Sequence, residues 1–363
     1  MNTNKVRKEF KRILDNTTIP SNLSDDEQMQ RYNIWNNLLS ANLPTKLYRY
    51  RSFSTLSLEA FYYDQVWVTI GSKMNDGYDA RMYFNWTSVE TAIESEFSDD
   101  RLEALYQQIV SIDTPIKQML SQYLNARGYR GEITSMIDNP FIADAKTLRD
   151  MAMNQRAGIL RDIMSAAQSS IKFACFSEVI QSPDMWGQYA NSEEGFALQY
   201  DFKNELDSDG VKSWQTYPVI YQKNRFQIPD DYIRYLFRFR LPYMLCNLMG
   251  RQDLYGWISS LMPCSNPCPD QSMVTKIMLH KSLEWKTERE WRVICNSKDR
   301  AFQAAEYSYF TKKPIALYLG RRMKLNDRNI LIDIAKGKGL PVFDMIIDDD
   351  SPKYQLKTVR CRA

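Results

Sequence analysis

The first 45 residues carry apolar positions at the helical period within a charged background. The positions that repeat at this spacing are Val6, Phe10, Ile13 and Leu14. A single apolar face of this kind is typical of an amphipathic helix that packs on a larger core. We therefore expect residues 1–45 to form a helical N-terminal extension.

Strand and helix patterns alternate in the segment that follows. Residues 46–51 and 66–70 are rich in aromatic and β-branched side chains, which favour strands. Ser54 is a suitable N-cap for a helix between them. The residues Asn-Asp-Gly at 75–77 are typical of a turn. The pattern predicts the order strand, helix, strand and acidic turn.

The periodicity changes twice more along the chain. Residues 88–170 are mostly helical in pattern, which predicts a helical insert. Strand patterns return after residue 170 and are interrupted by a helical segment over residues 223–285. Because strands occur in groups with helices between the groups, we expect an α+β fold with mixed and antiparallel sheets. Its core would comprise residues 46–87 and 171–363.

Charge and composition restrict the class of protein. Lys and Arg number 47 and Asp and Glu 44, so the formal net charge is 47 − 44 = +3. This near balance argues against a surface devoted to nucleic acid. No apolar run approaches the ~18 residues of a membrane span, and the first 16 residues lack a signal-peptide core. The six cysteines are scattered, which favours reduced thiols. These features predict a soluble cytoplasmic protein that does not bind membranes.

The chain contains one histidine, His280. Catalytic triads and most zinc centres depend on histidine, so these chemistries are disfavoured. The sequence also lacks a glycine-rich phosphate loop and an HExxH motif. Any catalysis would depend on carboxylates, Tyr, Ser, Arg or Lys, or on a cofactor.

The strand over residues 46–51 carries the first candidate site residues. Strand alternation places Tyr48 and Tyr50 on one face and Arg49 and Arg51 on the other. An arginine beside a cleft can bind phosphate through its two-pronged guanidinium group. The alternative is an exposed arginine paired with a carboxylate.

A second candidate group follows the strand at 172–177. Ser177 ends this strand, and a short helix that begins at Pro183 then carries Trp186 and Tyr189 on one face. These two rings could stack on a nucleobase or on nicotinamide. The alternative is packing in the core.

A third candidate is the charged segment 288–295, which we expect to be a strand. Glu288, Glu290 and Arg292 would then share one face. Two neighbouring carboxylates repel each other, so one could act as a base or stabilise a developing cation. The alternative is an edge strand that carries charge to prevent aggregation.

The remaining candidate is a metal site. Cys246, Cys264, Cys268 and His280 could form a zinc centre with three thiolates and one imidazole. Their spacing matches no common zinc pattern, and two of the thiols lie in a proline-rich loop, so free thiols are the alternative. We expect no metal.

Five sequence blocks occur in an order that resembles a known family. They are LYRYRSF with VWVTIGSKMNDGYD, FACFSE, MWGQYANSEEGFALQYD, EWKTEREWRV and IALYLGRRM. The chain resembles the bacterial domain-of-unknown-function 2971 family over about residues 46–80, 172–222 and 284–320. It differs at Gly77 and Tyr78, where the family usually has Pro and Phe.

A more distant resemblance implies an activity. The opening strand, helix and strand are similar to the start of ADP-ribosyltransferase-like domains of the DNA-modifying toxin type. This resemblance implies a central cleft between sheets, with NAD as the substrate. Arg49 falls at the NAD-gripping position, Ser177 resembles the serine of the Arg-Ser-Glu class, and Glu290 falls at the catalytic glutamate with Glu288 two before it. The residues expected to contact NAD are Tyr48, Arg49, Asn75, Asp76, Trp186 and Tyr189.

Three functions follow from these observations. The first is an NAD-dependent enzyme of the ADP-ribosyltransferase or NAD glycohydrolase type, which modifies a nucleic acid or a protein and acts as a toxin or anti-phage effector. The second is a non-catalytic module that binds a nucleotide or senses phage, with a partner protein on the insert 88–170. The third is a metal-dependent nuclease that uses four acids. These acids are Asp76, Asp79, Glu288 and Glu290.

Overall fold

The computed structural model describes residues 3–102, 145–203, 214–248, 267–295 and 307–361, together with residues 252, 255, 256, 259 and 305. The strands in these ranges, in chain order, are β1 (Leu47–Arg51), β2 (Gln65–Ile70), β3 (Lys172–Ser177), β4 (Phe196–Tyr200), β5 (Trp214–Pro218), β6 (Ile220–Gln222), β7 (His280–Ser282), β8 (Glu290–Cys295), β9 (Tyr307–Thr311), β10 (Ala316–Leu319), β11 (Val342–Ile347) and β12 (Leu356–Arg360).

Helices flank these strands. The described α-helices are α1 (Thr3–Asn16), α2 (Asp25–Asn42), α3 (Thr55–Tyr62), α4 (Trp86–Glu96), α5 (Ala145–Ser170), α6 (Pro183–Tyr189), α7 (Asp230–Leu248), α8 (Met273–Met278) and α9 (Leu325–Gly337). Short 3-10 helices span Gly71–Lys73 and Leu283–Glu288. Helices and a largely antiparallel sheet confirm the α+β prediction.

Ten strands form one sheet, with the order β12-β11-β10-β4-β1-β3-β2-β9, and β8 and β5 continue outward from β3. Most neighbouring strands are antiparallel, but β10 and β11 are parallel, so the sheet is mixed. The strands β6 and β7 form a separate parallel pair. The predicted combination of mixed and antiparallel pairing is therefore confirmed.

The sheet opens along one edge of β3. The other edge of β3 pairs with β8 over its whole length, from Lys172 to Ser177. On the open edge, β1 pairs with β3 only at Ser177, and β2 pairs with it at Lys172 and Phe173. Residues 174–176 consequently have no strand partner on this edge, because β1 and β2 diverge from β3 at opposite ends.

Two apolar clusters support this arrangement. Helices α1 and α2 pack on the sheet through residues such as Phe10 and Trp35, and both rings contact Tyr217. A second cluster joins α4, α5 and α7 through residues such as Ile93 and Phe237. The helices α4 and α5 are the described parts of the predicted insert 88–170, of which residues 103–144 lie outside the described residues.

Two local expectations differ from the structure. Glu288 ends the 3-10 helix rather than lying in the strand, because Arg289 adopts a left-handed conformation with φ 46° and the strand begins at Glu290. His280 lies in the segment 223–285, which was expected to be helical, and instead begins β7, where it is 6% exposed. Within the described residues, no helix is both long and apolar enough to cross a bilayer.

Candidate functional site

A cavity of about 740 Å³ occupies the opening between β1, β2 and β3. Its walls include Arg49 and Arg51 of β1, Cys175 of β3 and Tyr189 of α6. The unpaired edge of β3 forms part of its wall, so the divergence of β1 and β2 creates the cavity directly. Cavities of this size hold small-molecule ligands and cofactors.

Arg49 and Arg51 form a cationic wall of the cavity. The guanidinium group of Arg49 donates to the main-chain oxygen of Trp67 at 2.5 Å and lies over the Phe176 ring. Its Nε and Nη1 atoms are buried and have no partner in the described structure. Among the described residues, neither arginine forms an ion pair with a carboxylate. Burial and the charge of Arg51 lower the pKa of Arg49 to about 9.

The other wall holds two buried carboxylates that share one ammonium group. Lys281 Nζ lies 2.6 Å from Glu288 Oε2 and 3.1 Å from Glu290 Oε2. Glu288 is 4% exposed and Glu290 3% exposed. The left-handed turn at Arg289 is what places both carboxylates against Lys281, although Glu288 lies outside the strand. The prediction that the two acids lie side by side is correct, but their shared strand face is not the reason.

Arg292 binds Glu290 but does not itself line the cavity. Its Nε atom donates to Glu290 Oε1 at 2.8 Å, and its Nη2 atom donates to Asp79 Oδ2 at 2.6 Å. Arg292 is fully buried and also donates to the main-chain oxygen of Met278. Asp79 Oδ1 is buried without a partner in the described structure. The group is therefore a continuous network of three acids and two bases.

The two glutamates differ in their electrostatic surroundings. Burial raises the pKa of Glu288, and the charge of Glu290 raises it further. Burial acts in the same direction on Glu290, but the charges of Arg292 and Lys281 outweigh it and lower the pKa of Glu290. Burial opposes the charged form of Lys281, yet the two glutamates raise its pKa. Glu290 is therefore held ionised, whereas Glu288 accepts a proton more readily.

Tyr189 connects this network to the opposite side of the cavity. Its hydroxyl donates to Glu288 Oε1 at 2.5 Å and accepts from Asn75 Nδ2 at 3.2 Å. Burial and the hydrogen bond to Glu288 raise the pKa of Tyr189, so it remains a donor at neutral pH. Ser177 fixes the chain at the same place, since its hydroxyl donates to the main-chain oxygen of Glu288 at 2.6 Å.

Most of the residues selected from the sequence meet in this cavity. Those that line it are Tyr48, Arg49, Asn75, Ser177, Tyr189, Glu288 and Glu290. Arg49 and Glu290 lie on opposite faces of the sheet by strand register, because Tyr48 pairs with Ser177, which in turn pairs with Glu290. Both side chains still reach one cavity, since the sheet is open between them.

Two of the selected residues do not line the cavity. Trp186 is fully buried, packs edge-on against Tyr50, and donates from its indole nitrogen to the Ile180 carbonyl. It packs in the core and offers no free ring face for stacking. Asp76 accepts from the Tyr78 amide within its own turn. Its carboxylate therefore stabilises the turn.

Two residues of the network were not selected as site residues. Lys281 lies in a segment that had a helical pattern, and no spacing in the sequence relates it to the glutamates. Arg292 had a detectable signal, because it alternates with Glu290 along the strand. The tertiary structure was needed to show that Arg292 also binds Asp79, 213 positions earlier.

The metal predictions concern other residues. Cys246 is buried in the helical cluster, and His280 contacts the Lys276 carbonyl and stacks on Phe226. Cys264 lies outside the described residues. In the part of the chain that the structure describes, no group of three or more His, Cys, Asp or Glu residues is arranged to hold a metal ion.

Comparison with known proteins gives one match. Residues 185–293 match the family described as "Protein of unknown function (DUF2971)". The predicted resemblance to this family is thereby confirmed over this part of the chain, which includes most of α6, most of β8 and both glutamates. Neither the curated proteins nor the solved structures include a match to the chain. The likeness to ADP-ribosyltransferases stays a prediction.

Proposed function

We propose that the cavity binds NAD and that the protein transfers ADP-ribose to an acceptor, which is a nucleic acid, a protein side chain or water. The chain would then act as an ADP-ribosyltransferase or NAD glycohydrolase. The resemblance to bacterial toxins suggests a role as a toxin or anti-phage effector. The proposal depends on the chemistry of the two cavity walls.

The observation that carries the proposal is the uncompensated charge of Arg49 and Arg51. A buried cation without a counter-charge is costly, and proteins keep such groups where a ligand supplies the opposite charge. Both arginines line the cavity, and no described carboxylate forms an ion pair with either. A pyrophosphate would supply two negative charges and several acceptors for their guanidinium groups.

The wall that carries Glu288 and Glu290 suits the nicotinamide end of NAD. When ionised, Asp79, Glu288 and Glu290 carry three negative charges against two positive charges on Lys281 and Arg292. The resulting net charge of −1 favours the cationic nicotinamide ring and the cation that develops on ribose as this ring leaves. Of the two aromatic residues expected to stack on a ring, Tyr189 lines the cavity, whereas Trp186 is buried in the core.

A non-catalytic nucleotide-binding module is the second candidate. One observation favours it, because Lys281 and Arg292 already bind both carboxylates. A sensor would keep these groups as a fixed wall. The nuclease candidate has no comparable support, since Arg292 lies between Asp79 and Glu290 where a metal ion would have to bind.

Calorimetry with NAD, followed by an assay for free nicotinamide, tests the proposal. We expect binding that releases nicotinamide, with or without an added nucleic-acid or protein acceptor. Binding without release would favour the sensor. Absence of NAD binding in the purified protein would contradict the enzyme and a sensor of NAD, because the arginine wall would then bind another anion.

A further inference from the structure

The two glutamates of the cavity are held in different ways. Glu290 lies in β8, and Arg292 binds its Oε1 while Lys281 binds its Oε2. Arg292 has no freedom to turn away, because it is fully buried and also binds Asp79. Any movement of Glu290 toward a ligand would leave a buried guanidinium charge partly unpaired, which is strongly unfavourable.

Glu288 has a more replaceable partner. Its Oε2 binds Lys281, but its Oε1 accepts from the Tyr189 hydroxyl. Among the described contacts of the four carboxylate oxygens, Glu288 Oε1 is the one without a cationic partner, because Glu290 keeps Arg292 and Lys281 in addition to the Cys175 thiol. A substrate hydroxyl can take the place of the Tyr189 hydroxyl without leaving a charge unpaired. Tyr189 is itself half-buried and lies at the cavity wall beside Asn75.

The backbone supports this difference. Glu288 lies at the end of a 3-10 helix and precedes the left-handed Arg289, so the regular ladder of β8 does not constrain it. Ser177 anchors its carbonyl group, which leaves the side chain to be positioned by Lys281 and Tyr189. Its main chain is thus fixed while one of its oxygens can change partner.

We infer that Glu288 is the carboxylate that acts on the substrate, and that Glu290 is a positioning residue that fixes Lys281 and Arg292. This inference depends on the proposed NAD chemistry and reverses the roles implied by the Glu-x-Glu order. A ribose hydroxyl of the substrate replaces the Tyr189 hydroxyl on Glu288 Oε1.

The reaction step follows from this contact. The bond between the anomeric carbon and the nicotinamide nitrogen breaks, and its electron pair leaves with nicotinamide. The Glu288 carboxylate stabilises the cationic ribose. A nucleophilic oxygen or nitrogen of the acceptor then bonds to the anomeric carbon, and its proton passes to Glu288. The products are nicotinamide and the ADP-ribosylated acceptor, or ADP-ribose when the acceptor is water.

The central test compares Glu288→Gln with Glu284→Gln, a matched control at an exposed position of the same 3-10 helix. Glu288→Gln should fold and bind NAD within about threefold of the unaltered protein, yet release nicotinamide about 100- to 1000-fold more slowly. Glu284→Gln should match the unaltered protein in both measurements. Glu290→Gln should lower the melting temperature, because Arg292 and Lys281 each lose one of their two carboxylate partners.

A pH profile separates a reacting role from a structural one. Tyr189→Phe removes a hydrogen bond that lowers the pKa of Glu288. The acidic limb of the kcat/KM profile, which reports the free enzyme, should therefore move to higher pH, because Glu288 then protonates more easily before the substrate binds. An unchanged acidic limb would contradict this role for Glu288.

Two further outcomes would overturn the inference in distinguishable ways. If the unaltered protein cleaves NAD and Glu288→Gln retains turnover within threefold, the assignment of Glu288 is wrong while the proposed function stands. A folded Glu290→Gln variant that binds NAD without cleaving it would show that Glu290, and not Glu288, acts on the substrate. Failure of the unaltered protein to bind NAD would overturn both proposals together.

Discussion

Arg49 spans the opening in the sheet by donating to the main-chain oxygen of Trp67 at 2.5 Å. This hydrogen bond joins β1 to β2 across the opening, where the two strands pair with opposite ends of β3. The remaining guanidinium nitrogens Nε and Nη1 lack partners in the described structure. The position of Arg49 is thus set by the protein, while most of its hydrogen-bonding capacity is left for a ligand.

Replacing Arg49 should separate ligand affinity from stability. Arg49→Met removes a charge-assisted contact that is typically about 1.5–3 kcal/mol, so NAD should bind about 10- to 100-fold more weakly. The ligand-free protein should be as stable as before or more so, because an uncompensated charge is removed. Calorimetry and urea denaturation measure the two effects, with the exposed Arg12→Met as control. Reduced stability with normal affinity would show that Arg49 is structural.

Lys281 should matter most at neutral and higher pH. In Lys281→Met the buried pair Glu288 and Glu290 loses its shared cation, and a loss of about 3–5 kcal/mol is expected at pH 7. Burial and the charge of Glu290 already raise the pKa of Glu288, and loss of Lys281 raises it further, so folded stability falls as pH rises through that range. The deficit should accordingly shrink toward pH 5. Denaturation at pH 5 and pH 8 measures the deficit, and Lys286→Met at an exposed position of the 3-10 helix that follows β7 is the control. An equal deficit at both values would show that Lys281 acts through packing alone.

The lone histidine should make the protein acid-sensitive. Burial lowers the pKa of His280 from 6.5 to about 4 in the folded state. Below pH 6.5 His280 is therefore protonated in the unfolded chain but stays neutral in the folded chain. The free energy of unfolding consequently decreases as pH falls from 6.5 toward 4. A shift of this size corresponds to about 3 kcal/mol.

His280→Phe keeps the stack on Phe226 and removes the titration. The difference in unfolding free energy between this variant and the unaltered protein should change across that pH window, since the carboxylates are common to both. NMR titration of the single imidazole gives the pKa directly. A difference that is constant with pH would contradict the prediction.

Gly195 should tolerate no side chain. A Cβ atom there would lie 2.1 Å from the Arg51 carbonyl oxygen. The end of β1, which forms part of the cavity wall, would therefore have to move away from residue 195. We expect Gly195→Ala to destabilise the protein by about 3 kcal/mol. The comparison is Gly187→Ala in α6, where a Cβ meets nothing within 4 Å and stability should rise by about 0.5–1 kcal/mol. Urea denaturation that ranks the two variants in the reverse order would show that this contact does not limit the fold.

Local patterns were sufficient for many elements. The strand at Lys172–Ser177 and the short helix that begins at Pro183 lie where the sequence predicts them. The charge and aromatic content of short segments also selected Arg49, Tyr189 and Glu288, because buried or clustered polar groups of these types are unusual. Hydrophobic periodicity and capping act between near neighbours, so both can be read from adjacent residues.

Tertiary contacts decided the rest. The spacing of Trp186 and Tyr189 is the same whether a ring packs in the core or faces a ligand, and only the position of α6 on the sheet separates the two. The left-handed Arg289 moved Glu288 out of the predicted strand. Lys281 joined the site because β7 carries it to both glutamates. Short-range patterns in the sequence determine the local helices and strands. The cavity arises because β1 and β2 diverge from β3, and this divergence depends on pairing between residues far apart in the chain.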